Sequence, residues 1–141
     1  MLQSTKGKIV IGGETDQSDL YIAPTVVTDV SPDEPLMQEE IFGPILPIIN
    51  INSPEQAVTF ITSRAKPLSL YVFSKNKKTQ DLIMSDTSSG SMVMNDAVVH
   101  LSVETLPFGG VGNSGMGAYH GRYTFLTFSH EKSVLIRDFS R

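Results

Sequence analysis

The 141-residue chain has no cysteine and no tryptophan. Without cysteine it forms no disulfide, no thiolate metal site and no thiol nucleophile of its own. No apolar run approaches the roughly 20 residues needed to cross a bilayer. No basic-then-apolar leader opens the chain, and no Asn-x-Ser/Thr acceptor occurs in it. Positive charge is scarce: 11 Lys and Arg stand against 15 Asp and Glu, a net charge of −4, and the pI is near 5.2. With no basic stripe, this balance argues against a nucleic-acid partner. Lys75, Lys77 and Lys78 read as the solvated start of a helix. His100, His120 and His130 match no compact metal-ligand spacing and read as surface or supporting histidines, so no metal site is expected. The expectation is a soluble, cytoplasmic protein in a reducing compartment, with no membrane segment in this chain.

By length the chain fits one domain, and 40% of its residues are hydrophobic, a normal globular share. Lys8-Ile9-Val10-Ile11 is a β-branched run stopped by Gly12-Gly13, which predicts a strand and a turn. Residues 21–27 read as extended, with Pro24 bending the first half or placing it at an edge. Residues 45–51 form a nearly all-apolar strand, expected to be buried on both faces. Ser53-Pro54-Glu55-Gln56 then opens a helix, with Ser as N-cap, Pro in the first turn and Gln in the capping-box position. That helix is expected to end near Arg64. Residues 68–73 give the next strand, residues 77–85 a second helix capped by Asn76, and residues 90–95 a third strand. Strand, helix, strand, helix, strand is the order of parallel βαβ crossovers, so the fold class is α/β. Residues 97–106 read as irregular, 106–117 as a glycine-rich loop, 123–128 as a short helix and 132–139 as a last strand without an obvious partner.

Gln38-Glu39-Glu40-Ile41-Phe42-Gly43-Pro44 holds the most chemistry. On an extended backbone, alternate residues share a face. One of Glu39 and Glu40 should then face inward, with Phe42 on the side of Glu40. A carboxylate beside a flat ring suits a ligand with vicinal hydroxyls and a planar head; a solvated acid pair at a strand start is the plain alternative. Gly110-Val111-Gly112-Asn113-Ser114-Gly115 fits G-x-G-x-x-G literally. It lacks the strand before and the helix after that a dinucleotide fingerprint needs, so it reads as a tightly folded loop with positive-φ glycines. No G-x-S-x-G elbow is present. Phe108, in the same loop, reads as core or as pocket lining.

Taken together, Tyr21-Ile22-Ala23-Pro24-Thr25, the Gln38 to Pro44 stretch, Lys66-Pro67-Leu68-Ser69-Leu70-Tyr71-Val72-Phe73-Ser74, the Pro107 to Gly117 loop, Tyr119-His120-Gly121 and Thr127-Phe128-Ser129-His130 resemble the C-terminal part of an aldehyde dehydrogenase. The nearest type is class 3, the fatty and aromatic aldehyde dehydrogenases, and the resemblance runs in order from about Leu2 to Arg137. It implies the second half of the catalytic domain, a mostly parallel sheet with crossover helices, over residues 1–130. It also implies a C-terminal oligomerisation strand and tail over residues 131–141, and an incomplete fold.

The resemblance further implies oxidation of an aldehyde, of medium or long chain or aromatic, by NAD or NADP. In that chemistry a cysteine thiolate attacks the carbonyl, an asparagine helps hold the oxyanion, and a glutamate activates the water that cleaves the thioester. Carried over by motif, Glu40 resembles the acid that grips the nicotinamide-ribose hydroxyls and Phe42 the ring beside the nicotinamide. Val98, Leu101, Ser102 and Phe108 resemble the lining of the aldehyde entrance. The final strand implies a homodimer.

The family's cysteine, base glutamate, oxyanion asparagine and Rossmann domain are expected upstream, so no catalytic residue is assigned here and the chain is expected to be inactive alone. Exposed apolar surface should leave it marginally stable by itself. A non-catalytic short product that associates with full-length subunits is the alternative reading. Membrane association of a full-length relative is compatible with this chain.

Overall fold

The computed structural model describes residues 2–139. They divide into two units between Asn52 and Ser53.

In the first unit β1 (Lys8–Ile11) runs antiparallel to β4 (Thr25–Thr28), and β5 (Ile45–Pro47) pairs with the other edge of β4 in parallel. β2 (Thr15–Asp16) and β3 (Tyr21–Ile22) form a separate two-stranded ribbon. Ala23-Pro24 divides β3 from β4, because proline brings no amide hydrogen to a ladder. Gly12 and Gly13 make the turn after β1 with φ of 71° and 101°. A side chain on Gly12 would lie 2.2 Å from the Pro24 carbonyl oxygen. The Gly13 amide donates to the Thr25 hydroxyl at 2.9 Å, and that hydroxyl donates to the Ala23 carbonyl at 2.7 Å.

The core of this unit is small. Val27, Val30 and Leu36 are buried, and Leu2, Met37, Ile41, Ile45 and Ile49 pack against them. Glu34 is a buried acid beside this core. Its carboxylate accepts from the Thr5 hydroxyl, the Ser31 amide at 3.1 Å and the Lys6 amide at 3.0 Å. The Thr5 hydroxyl, followed by the Ser31 amide, holds its pKa below the ordinary carboxylate value.

In the second unit α1 (Pro54–Thr62) leads to β6 (Ser69–Val72), α2 (Lys77–Asp86) and β7 (Ser91–Met94). β6 and β7 are parallel, with Ser69 opposite Ser91 and Val72 opposite Met94, and α2 is their crossover. The helix starts follow the sequence chemistry. The Ser53 hydroxyl accepts from the Gln56 amide at 3.3 Å, and the Asn76 side chain accepts from the Lys78 amide at 2.9 Å. Ile83 of α2 is buried, and all four residues of β7 are half-buried. Short 3₁₀ turns at Val99–Ser102 and Gly112–Ser114 follow, then α3 (Arg122–Thr127).

Two expectations need correction, and the fold class is not one of them. The apolar run 45–51 is a strand only to Pro47, and it is not buried on both faces: Leu46 is 58% exposed. Among the described residues β5 pairs with β4 alone. The α/β class holds: β4–β5 and β6–β7 are parallel pairs, α2 is a crossover helix, and β1 alone joins its sheet antiparallel. Residues 132–139 form no strand; Leu135 and Ile136 are 93% and 89% exposed. Alternation of side chains gives no ladder without a neighbouring edge to bond to. Ser140 and Arg141, the end of the expected tail, lie outside the described residues.

Candidate functional site

Glu40 and Phe42 sit on a loop fixed at both ends. Before it, the 3₁₀ turn Pro35–Met37 drives Leu36 into the core. After it, the Thr25 amide donates to the Pro44 carbonyl at 2.8 Å, which attaches the loop exit to β4. Ile41 is half-buried against the core and anchors the middle. The alternation argument fails here. Residues 38–44 are not a strand, and Phe42 adopts a left-handed backbone with φ of 48°. Neither Glu39 nor Glu40 faces inward; both are exposed.

Phe42 is 92% exposed. A bulky residue at positive φ is costly, and an exposed ring recovers none of that cost inside its own unit. Phe42, Ile41, Pro44 and Ile22 line an apolar cleft of about 350 Å³ in this unit. The turn at the loop tip lies at Phe42 rather than at Gly43, where a Cβ would find ordinary space. An acid and an aromatic ring are thus both presented outward, two residues apart, on an anchored loop.

In the second unit Val98, Leu101 and Ser102 belong to one turn. Val98 has φ of 68° and ψ of −34°, and the Val99 amide donates to the Ala97 carbonyl at 2.7 Å. This is the positive-φ form of the γ-turn, a strained shape for a β-branched residue. The Leu101 amide closes the next turn on the Val98 carbonyl at 3.0 Å, and the Ser102 hydroxyl donates to the Val99 carbonyl at 2.8 Å. Val98 and Leu101 are 57% and 42% exposed, and Ser102 is exposed.

Phe108 is held by a two-bond bridge to Tyr119, at 3.1 and 2.9 Å. Their rings meet edge-on at 5.4 Å. The glycines around it admit no side chain. A Cβ on Gly90, Gly109 or Gly110 would come within 2.2, 2.2 and 2.1 Å of backbone oxygens of Gly109, Gly117 and Ser114. The G-x-G-x-x-G run is thus a packed loop, with φ of 61° at Gly112 and 152° at Gly115, as its sequence context predicts.

Of the three histidines, His100 is a buried, supporting one rather than a surface one. It is 8% exposed and lies under the Val98 to Ser102 turn, between the rings of Tyr71 and Phe108. Its place in the chain gives no sign of this burial. The one signal was a serine at the start of each of two strands, and pairing them required the register. His120 is half-buried, and its Nδ1–H donates to the Leu106 carbonyl at 2.9 Å. Among the described residues no group of three or more His, Cys, Asp or Glu could hold a metal ion, and no helix is long and apolar enough to cross a membrane. Glu40 and Phe42 lie in the first unit, and the other four predicted site residues in the second.

The sequence profile of the aldehyde dehydrogenase family matches residues 2–134. The chain belongs to the aldehyde dehydrogenase family. It is 57% identical over 130 residues to an aldehyde dehydrogenase from Rattus norvegicus described as dimeric and NADP-preferring, covering 92% of this chain and 29% of the rat protein. Aldehyde dehydrogenase family 3 member A2 of the same organism is 55% identical, with 92% and 27% covered.

Among solved structures, the substrate-bound state of Staphylococcus aureus AldH superposes with a TM-score of 0.88 at 47% identity, covering 99% of this chain and 31% of that one. The Mycobacterium tuberculosis aldehyde dehydrogenase complexed with NAD+ gives 0.80 at 30% identity, with 94% and 27% covered. The chain therefore spans under a third of each of these four proteins.

Proposed function

We propose that this chain supplies the nicotinamide-ribose contacts and part of the aldehyde wall of an NAD(P)-dependent aldehyde dehydrogenase acting on medium-chain, long-chain or aromatic aldehydes. The observation that carries the reading is the loop at residues 38–44, where a strained, 92%-exposed Phe42 stands two residues from an exposed Glu40 on a loop tied to the core. Family membership, the rat relative described as NADP-preferring and the M. tuberculosis neighbour bound to NAD+ support the same assignment.

A bound nicotinamide cofactor would supply the hydride acceptor. The Glu40 carboxylate accepts from the two ribose hydroxyls through charge-assisted hydrogen bonds and thereby sets the ring's position. Phe42 supports one side of that position. Val98, Leu101 and Phe108 give the aldehyde an apolar surface, and Ser102 adds one hydroxyl to it. This apolar character is what favours larger hydrocarbon groups.

The chain has no cysteine, and we read it as inactive by itself. The dimer of the rat protein's description extends to this chain as a homodimer of the complete polypeptide, with residues 131–139 at the interface.

The test is steady-state kinetics of the complete polypeptide carrying this segment. Glu40→Gln should raise the coenzyme KM about ten- to hundred-fold, the loss expected for charged hydrogen bonds. Phe108→Ala should raise the KM for hexanal or benzaldehyde and leave the coenzyme KM in place. If both variants kept wild-type constants, the reading would be wrong.

A further inference from the structure

The turn at Val98–Ser102 is sorted backwards. Val98, Val99 and Leu101 are 57%, 48% and 42% exposed, and the one imidazole among them is 8% exposed. Ordinary burial would place the aliphatic chains inside and the histidine outside. The inward imidazole has specific partners. Its Nε2 lies 2.9 Å from the Ser91 hydroxyl and 3.2 Å from the Ser69 hydroxyl. These two serines are opposite each other at the start of β7 and β6, and their hydroxyls are 2.9 Å apart. The Ser91 hydroxyl also reaches the Leu68 carbonyl at 3.2 Å.

The ring makes an edge contact with Tyr71 at 5.9 Å and a tilted one with Phe108 at 5.5 Å. Nδ1 has no hydrogen-bond partner among the described residues. A buried orphan N–H is rarer than an orphan acceptor, so the pattern assigns the proton to Nε2, which donates to Ser91 while Ser91 donates to Leu68.

We propose that His100 is a positioning residue for aldehyde binding. It locks the turn bearing Val98, Leu101 and Ser102, together with the Phe108 ring, onto the Ser69–Ser91 pair of the parallel strands. The apolar side chains of the turn are thereby held outward, as a wall for substrate. The inference rests on the aldehyde-wall reading above and adds a residue that touches neither aldehyde nor coenzyme.

Four variants of the complete polypeptide test it: His100→Phe, His100→Gln, the double variant Ser69→Ala/Ser91→Ala, and Phe108→Ala. His100→Phe keeps an aromatic ring and removes the donor. It should raise the KM for hexanal and benzaldehyde about ten-fold, with kcat and coenzyme Kd changed less than about two-fold. The serine double variant should reproduce this effect. His100→Gln keeps a polar group at the reach of Nε2 and should restore most of the wild-type KM.

A His100→Phe enzyme that folds with unchanged aldehyde KM, while Phe108→Ala raises it, overturns the anchor and leaves the wall intact. Unchanged KM in Phe108→Ala overturns the wall itself. A parallel fall in kcat, aldehyde binding and coenzyme binding, not recovered by His100→Gln, would show a merely structural histidine and would also overturn the proposal. If His100→Phe fails to fold, the serine double variant decides between the same outcomes.

Discussion

A Cβ built on Gly90 would stand 2.2 Å from the carbonyl oxygen of Gly109. The glycine before β7 and the glycine after Phe108 thus meet backbone to backbone, and the loop bearing Phe108 is fixed to the sheet by that contact. The neighbour is backbone and has no side-chain freedom with which to yield. Gly90→Ala should destabilise by about 1–3 kcal/mol, the usual cost of overpacking. Amide hydrogen exchange at Phe108 and Tyr119, which share the two-bond bridge, should accelerate accordingly.

Glu34 gives a pH signature. Its folded pKa lies below the ordinary value of 4.5, held there first by the Thr5 hydroxyl and next by the Ser31 amide. The sign follows from linkage: a depressed carboxylate stabilises the fold fully above its unfolded pKa, and this is lost as pH falls through the folded one. Glu34→Gln should therefore expose the Lys6 and Ser31 amides to faster exchange at neutral pH. The gap between variant and wild type should close as pH drops below 4.5.

Ser53 starts α1 with its hydroxyl on the Gln56 amide at 3.3 Å. Ser53→Ala removes this cap, and the first turn of α1 should lose about 1 kcal/mol. Exchange of the Gln56 and Ala57 amides reports it, and Ser53→Asp should recover the protection.

Val98 pays for a positive φ of 68° with a β-branched side chain that is 57% exposed. Val98→Gly removes the strain at little cost in burial and should raise stability by about 1 kcal/mol. In the complete polypeptide the same change should raise the KM for long-chain aldehydes. The melting temperature and KM would then rise together, opposite in their consequence for function.

The chain exposes 10917 Å². Two separate compact bodies of its units' sizes would expose only about 8,600 Å². Leu20, Phe42, Met116, Leu135, Ile136 and Phe139 are all at least 89% exposed. Surface of this kind favours association. The chain alone should bind a hydrophobic dye and enlarge with concentration in light scattering; a dye-silent monomer with one sharp melt would contradict this.

Local chemistry was legible in the sequence. Ser53 and Asn76 cap the helices where their spacing predicts, and Pro24 divides β3 from β4. The β6–α2–β7 crossover follows from strand and helix order, and the packed glycine loop from the absence of flanking elements. What failed were inferences from periodicity without a partner. The run 45–51 is apolar, yet its strand stops at Pro47 because pairing, not composition, makes a strand. Residues 132–139 alternate and stay irregular for the same reason. At Glu40 and Phe42 the alternation expected of a strand does not hold, since a left-handed Phe42 breaks the two-residue period. His100 was hidden because its partners, Ser69 and Ser91, meet only through strand register.

The most direct measurement of the central claim is coenzyme affinity, by quenching or enhancement of NAD(P)H fluorescence, in the complete polypeptide bearing Glu40→Ala or Glu39→Ala. Loss of the charge-assisted bonds should weaken binding about ten-fold or more for Glu40→Ala and leave Glu39→Ala near wild type. Equal affinity in wild type and Glu40→Ala would contradict the account.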